Sequence, residues 1–165
     1  MAMQFQNKSQ KKRFWMIYGI VVFIIIVGGF KYLFSFSINT SESLPQTLFF
    51  VLKNHQPVKG GFVVFKFPGK QFYSPKDEFV KYYKGASGDR VDTHGKEIYL
   101  NGEKVAVAKE KSLKGVPLTA LNFNGIIPPG KMFVMGESKD SYDSRYEDVG
   151  LVDTDRIVGA AYPIF

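Results

Sequence analysis

The feature that most constrains this chain is an uncharged apolar run near its start, Phe14 to Phe30, followed by Lys31 and then Tyr32-Leu33-Phe34. Through Phe34 the stretch covers a hydrocarbon core of about 30 Å when Lys31 extends its amine to the interface. A cleaved secretory signal has a shorter apolar region with a small-x-small site behind it. This run is longer and no such site follows, so it reads as a retained anchor over residues 14–34. Lys8, Lys11, Lys12 and Arg13 precede it, whereas Ser35 to Leu52 carries no basic residue. The positive-inside rule then places residues 1–13 in the cytoplasm and residues 35–165 outside, in the periplasm of a Gram-negative cell with the anchor in its inner membrane.

The formal charge of +7 on 165 residues would suit nucleic acid, but its distribution does not. Five of the 22 basic residues precede residue 32 and all 15 acids follow it, so the remainder is nearly neutral. A phosphate-binding surface needs a concentrated basic patch, so nucleic acid is excluded as a partner. The chain has no cysteine, which removes thiol nucleophiles, thiolate metal sites and disulfides. Its two histidines, His55 and His94, stand in turn-like sequence and read as solvated loop residues; no metal and no cofactor is expected.

Beyond the anchor the pattern is that of short strands. Leu48 to Leu52, Gly61 to Phe67, Glu78 to Tyr83, Glu97 to Leu100, Lys131 to Gly136 and Arg156 to Gly159 are β-branched or aromatic and bounded by Gly, Pro or Asn-Gly. The expected fold is a mainly antiparallel β domain over residues 35–165 behind one transmembrane helix. Residues 92–130 are more polar and lysine-rich, and read either as an inserted flap or as a hairpin with long loops. Lys104, Lys109, Lys111 and Lys114 within them read as solvated surface. Leu48 to Leu52 reads as core strand, with a surface dipping into the bilayer as the alternative.

Lys81 is the most informative single residue. In a strand, Phe79 and Tyr83 share its face while Val80 and Tyr82 occupy the other, so both faces are apolar. A lysine held among aromatics is desolvated, and its pKa falls from about 10.4 toward the roughly 7 to 8 that suits a general base. Lys84, beside Gly85, should be exposed. Ser43, in Asn39-Thr40-Ser41-Glu42-Ser43-Leu44-Pro45, is alone indistinguishable from a turn serine, but an extended chain carries it at most about 30 Å from the end of the anchor. The polar segment Gly136 to Arg145 directly follows an apolar strand; pairing of Asp143 with Arg145 and serines capping a turn would account for it structurally.

In order and content these three segments resemble the type I signal peptidase family of serine-lysine peptidases, and more closely its conjugative-transfer, TraF-type branch. Asn39-x-x-x-Ser43-x-Pro45 is similar to the nucleophile box, and Phe79 to Asp89 to the lysine box with its Gly-x-x-Gly-Asp turn. Gly136-Glu137 through Ser141-x-Asp143-Ser144-Arg145 is similar to the C-terminal box. The resemblance implies a catalytic dyad of Ser43 and Lys81, an oxyanion site from the Ser43 N–H and the Ser41 hydroxyl, Ser141 orienting the lysine, and Asp143, Ser144 and Arg145 in support. The chain departs from the family pattern with Glu137 for aspartate, Tyr82 for arginine and Ser87 for proline. These departures point to a dedicated substrate.

The resemblance thus implies an anchored serine endopeptidase that processes exported, membrane-tethered precursors, in the transfer branch a conjugative pilin, by cleavage or cyclisation. Its partners would be that precursor, the lipid bilayer and the conjugative transfer apparatus. The competing hypothesis is a catalytically silent anchored β domain that binds pilus-assembly or envelope partners.

Overall fold

A computed structural model of the chain describes residues 8–69 and 72–164, and falls into two compact units, one ending at Phe34 and the other beginning at Ser35. The first is a single helix, α1 (Lys8–Leu33), long and apolar enough to cross a membrane and without a buried residue. It begins six residues before the apolar run, because lysine, glutamine and arginine are good helix formers. It stops at Leu33, and Phe34 opens the first strand.

The second unit is built of strands β1 (Phe34–Ile38), β2 (Leu48–Lys53), β3 (Phe62–Lys66), β4 (Glu78–Gly85), β5 (Arg90–His94), β6 (Glu97–Leu100), β7 (Glu103–Val107), β8 (Gly125–Ile126), β9 (Lys131–Met135), β10 (Val152–Asp153) and, after a 3-10 turn, β11 (Ile157–Pro163). Seven of them form one sheet in the order β1-β2-β11-β3-β4-β9-β10, and every register given for it is antiparallel. The alternation expected of strands divides its two faces. Val63, Phe65 and Val134 pack on one face with Phe79 and Tyr83, and Phe49, Val51, Val64 and Val80 on the other with Leu44 and Tyr82.

Two expectations are refined here. In β2, Phe49 and Val51 are core, but Leu48, Phe50 and Leu52 are half-buried on the opposite face, where Phe50 meets the exposed Phe36 edge to face. Lys84 is not exposed: it is half-buried in β4 with its amine 4.9 Å from the centre of the Tyr82 ring. The strand continues through Gly85 and so keeps Lys84 inside the sheet.

Residues 92–130 contribute most of a second, four-stranded sheet, β7-β6-β5-β8. Asn101 and Gly102 both take positive φ (53° and 84°), the conformation a two-residue hairpin between β6 and β7 demands. Val91 and Ile98 share a core with Ile127, which precedes β9, and Phe133, which lies in it, and this ties the two sheets together.

Candidate active site

Three segments converge on one cavity of about 400 Å³: the loop between β1 and β2, the first half of β4, and the loop that follows β9. Ser41, Ser43, Lys81, Ser138 and Ser141 are among its walls. Four of the sequence-predicted residues therefore face a common space. The other three, Asp143, Ser144 and Arg145, are buried behind it.

Asn39 organises the serine loop. Its side-chain nitrogen donates to the carbonyls of Leu44 (3.1 Å) and Gln46 (3.2 Å), which fixes the amide so that Oδ1 faces Ser41. The Ser41 hydroxyl donates to that oxygen at 2.9 Å, and the Ser41 and Ser43 hydroxyls lie 2.8 Å apart. Because Ser41 has one proton and spends it on Asn39, Ser43 is the donor of the pair. In this resting arrangement the Ser43 proton points to Ser41, with no hydrogen bond from Ser43 to Lys81 among the described residues. The Ser43 carbonyl accepts from the backbone of Glu137 (2.9 Å) and Ser138 (3.2 Å), which joins the serine loop to the C-terminal loop.

Lys81 is 4 % exposed, with its amine 5.6 Å from the centre of the Phe79 ring and no hydrogen bond or ion pair among the described residues. Burial pushes its pKa down from the ordinary 10.5 to about 8; the charge of Asp143 opposes that shift and the charge of Arg145 assists it. Ser141 is buried, and its hydroxyl, on the wall of the same cavity, has no partner among the described residues.

Asp143 and Arg145 form a bidentate pair, 2.8 Å through Nε and 2.7 Å through Nη2, and both are buried. Nη2 also reaches the carbonyls of Ser138 (2.8 Å) and Ser141 (3.1 Å), and the Gly136 N–H donates to Asp143 Oδ2 at 2.8 Å. Ser144 exchanges hydrogen bonds with the Val134 backbone, so the loop is pinned to β9. The pair thus braces the loop that carries Ser141 against the strand beside β4.

Four further residues, Asn39, Gly136, Tyr82 and Glu137, contribute in ways that the sequence does not reveal. Asn39 belongs to the Asn39-x-x-x-Ser43-x-Pro45 motif, but its role as a staple depends on carbonyls five and seven residues away. Gly136 is required by close approach: a Cβ there would overlap the Ser141 hydroxyl and stand 2.6 Å from the Ser43 carbonyl oxygen. Tyr82 and Glu137, two of the departures from the family pattern, touch each other, the phenol donating to the carboxylate at 2.6 Å. Finding both departures in one pattern was the available signal.

His55 and His94 are exposed, and no group of three or more potential metal-ligating side chains stands together among the described residues.

The family described as signal peptidase, peptidase S26, matches residues 9–165, and the chain belongs to it. Signal peptidase I T of Bacillus subtilis is 39 % identical over 98 residues, which cover 54 % of this chain and 50 % of that protein. Signal peptidase IB of Staphylococcus aureus is 29 % identical over 168 residues, 88 % of this chain and 84 % of its own length. The conjugal transfer protein TraF of Agrobacterium fabrum is 25 % identical over 156 residues, with 85 % and 84 % covered. The chain thus spans about half the length of the Bacillus relatives it matches.

Proposed function

We propose that this chain is a membrane-anchored serine endopeptidase of the signal-peptidase type, acting on exported precursors through Ser43 and Lys81. The observation that carries the reading is the Lys81 amine: buried, without a hydrogen-bonding partner among the described residues, and on the wall of the cavity that holds Ser43 and the unpaired Ser141 hydroxyl. A lysine so placed loses its proton near pH 8, well below the ordinary lysine range, and can serve as a base.

In the proposed reaction the Ser43 hydroxyl turns from Ser41 to Lys81 as substrate enters. Its oxygen attacks the scissile carbonyl while its proton passes to the neutral amine. The Ser43 N–H and the Ser41 hydroxyl, its proton turned from Asn39 toward the substrate, stabilise the oxyanion. As the C–N bond breaks, Lys81 returns the proton to the departing amine. Water then attacks the ester, again losing a proton to Lys81, which restores it to Ser43. Ser141 accepts from the amine and holds it in place. The Asp143–Arg145 pair keeps the Ser141 loop in register, with Ser144 pinning it to β9.

The substrate's path is open in the sheet. Glu78 to Lys81 pair with β3 on one side, whereas pairing with β9 starts only at Tyr82. The other edge of that half-strand, bordering the cavity, is free to add an extended segment of polypeptide. An N-terminal anchor with its amino end in the cytoplasm would confine the site to within about 30 Å of the outer membrane surface. The apolar side chains of Phe36 and Ile38, exposed on β1, and of Tyr162, exposed on β11, suit such a surface.

We further propose a dedicated substrate of a conjugative system, a pilin precursor, on the strength of the departures at Tyr82, Ser87 and Glu137 and the near full-length similarity to a conjugal transfer protein. Ser43→Ala and Lys81→Ala should each lower precursor processing by at least about 10³-fold with the protein still folded. Normal processing by either variant would overturn the assignment. The mass of the product separates hydrolysis from cyclisation, since the cyclic product lacks one water.

A further inference from the structure

A second cavity, of about 290 Å³, adjoins the first and shares Tyr73, Leu113, Asp140 and Tyr142 with it. Its composition differs. One side is aromatic: Tyr142 stacks on Tyr146 with ring centres 5.3 Å apart and is anchored by a 2.9 Å hydrogen bond from its hydroxyl to Asp148. The other side brings Lys109, Lys111 and Lys114. Lys109 is neutralised by Asp140. Lys111 and Lys114 form no ion pair among the described residues, so the lining keeps a surplus of positive charge.

The lysines sit on a tight hairpin. Lys111 bridges to Pro117, Ser112 N–H donates to the Val116 carbonyl at 2.8 Å, and Leu118 N–H to the Glu110 carbonyl at 2.8 Å. The hairpin holds Leu113 out at 80 % exposure, on the rim of both cavities. Surface lysines ordinarily lie on open, solvated faces. Here a hydrogen-bonded turn brings two of them, with an exposed leucine between, onto a hollow continuous with the place where a peptide bond would be cut.

We infer that this second cavity is a specificity subsite, in which Lys111 and Lys114 receive an acidic side chain of the substrate polypeptide while Leu113 and Tyr73 grip the chain on its way from the Ser43 cavity. The inference rests on the peptidase reading for its occupant: continuity of the two cavities makes the polypeptide in the first the ligand of the second. An acidic residue a few positions from the scissile bond would be drawn in by charge, and the interaction weakens with salt.

The test uses the chain of residues 1–165 in detergent micelles. A series of peptides carries one glutamate, or glutamine in control, at successive positions on either side of the scissile bond. Equilibrium binding is measured to the Ser43→Ala protein, and cleavage separately with the unaltered one. Glutamate at one position, or two adjacent ones, should bind about 10-fold tighter than glutamine at low salt. The preference should vanish in Lys111→Glu/Lys114→Glu and reverse toward a lysine-bearing peptide. Both positions are exposed, so this variant should retain the fold, checked by its Tm. A flat profile, or a preference that the charge reversal leaves intact, overturns the subsite. Selective binding without cleavage by the unaltered protein would instead count against the peptidase reading alone.

Discussion

The molecule buries two cations beside each other and treats them in opposite ways. Arg145, 3 % exposed, has its guanidinium met by both oxygens of Asp143 and two backbone carbonyls. Burial alone would push its pKa down, but the hydrogen bonds and charge of Asp143 outweigh that and raise it. Lys81, 4 % exposed, has no such partner among the described residues, and burial brings its pKa down to about 8. A cation that braces a fold is kept charged by partners; one that is to shed a proton near neutrality must be left without them. Equal burial therefore carries no functional information by itself. The partner set does.

The sharpest way to break this comparison is to remove each cation in turn. Arg145→Met strands the Asp143 carboxylate in the interior, where an uncompensated charge costs about 3–5 kcal/mol. Thermal or urea unfolding at neutral pH should show that loss. A loss below about 1 kcal/mol would mean that the pair is not a brace.

Lys81→Met should go the other way, stabilising the protein while abolishing processing. The sign follows from proton counting. Between about pH 8, where folded Lys81 titrates, and 10.5, where the unfolded side chain does, the unfolded chain binds the additional proton, so stability rises with pH over that window. Below about pH 8 both states are protonated and the full penalty, of order 3 kcal/mol, applies. The Met variant should therefore be up to about 3 kcal/mol more stable at pH 7, with the gap closing as the pH rises toward 10.5. Processing by the unaltered protein should climb with pH through about 8 as the amine becomes neutral. A Met variant less stable than its parent at neutral pH, or a rate that falls over that interval, would remove Lys81 from the base's role.

How much of this was legible beforehand follows from the range over which each interaction acts. The strand alternation around Lys81 is local, so its aromatic surroundings could be read directly from Phe79, Tyr83, Val80 and Tyr82. Asp143 and Arg145 are two residues apart, and their pairing was readable for the same reason. The sheet order was not, because β11 inserts between β2 and β3 from the far end of the chain. Nor was the role of Gly136, which arises only when the serine loop and the C-terminal loop meet. The lysines of residues 109–114 read as plain surface, since nothing local reveals that a hairpin places them over a cavity.

The smallest expected effect concerns the tie between Tyr82 and Glu137. Tyr82 follows Lys81 directly, and the Glu137 N–H holds the Ser43 carbonyl, so their 2.6 Å hydrogen bond links the strand of the proposed base to the loop of the proposed nucleophile. Burial and the Glu137 carboxylate push the Tyr82 pKa up to about 12, so the phenol stays a donor throughout the range in which Lys81 titrates. Tyr82→Phe should cost only about 1 kcal/mol of stability, the net worth of one hydrogen bond. If the tie sets the distance between the two halves of the site, kcat should fall by roughly 3- to 10-fold with KM little changed, and adding Glu137→Gln should cost little more. A purely structural tie would lower Tm and leave kcat alone, and the supports around Lys81 would then reduce to Ser141 and the Asp143–Arg145 brace.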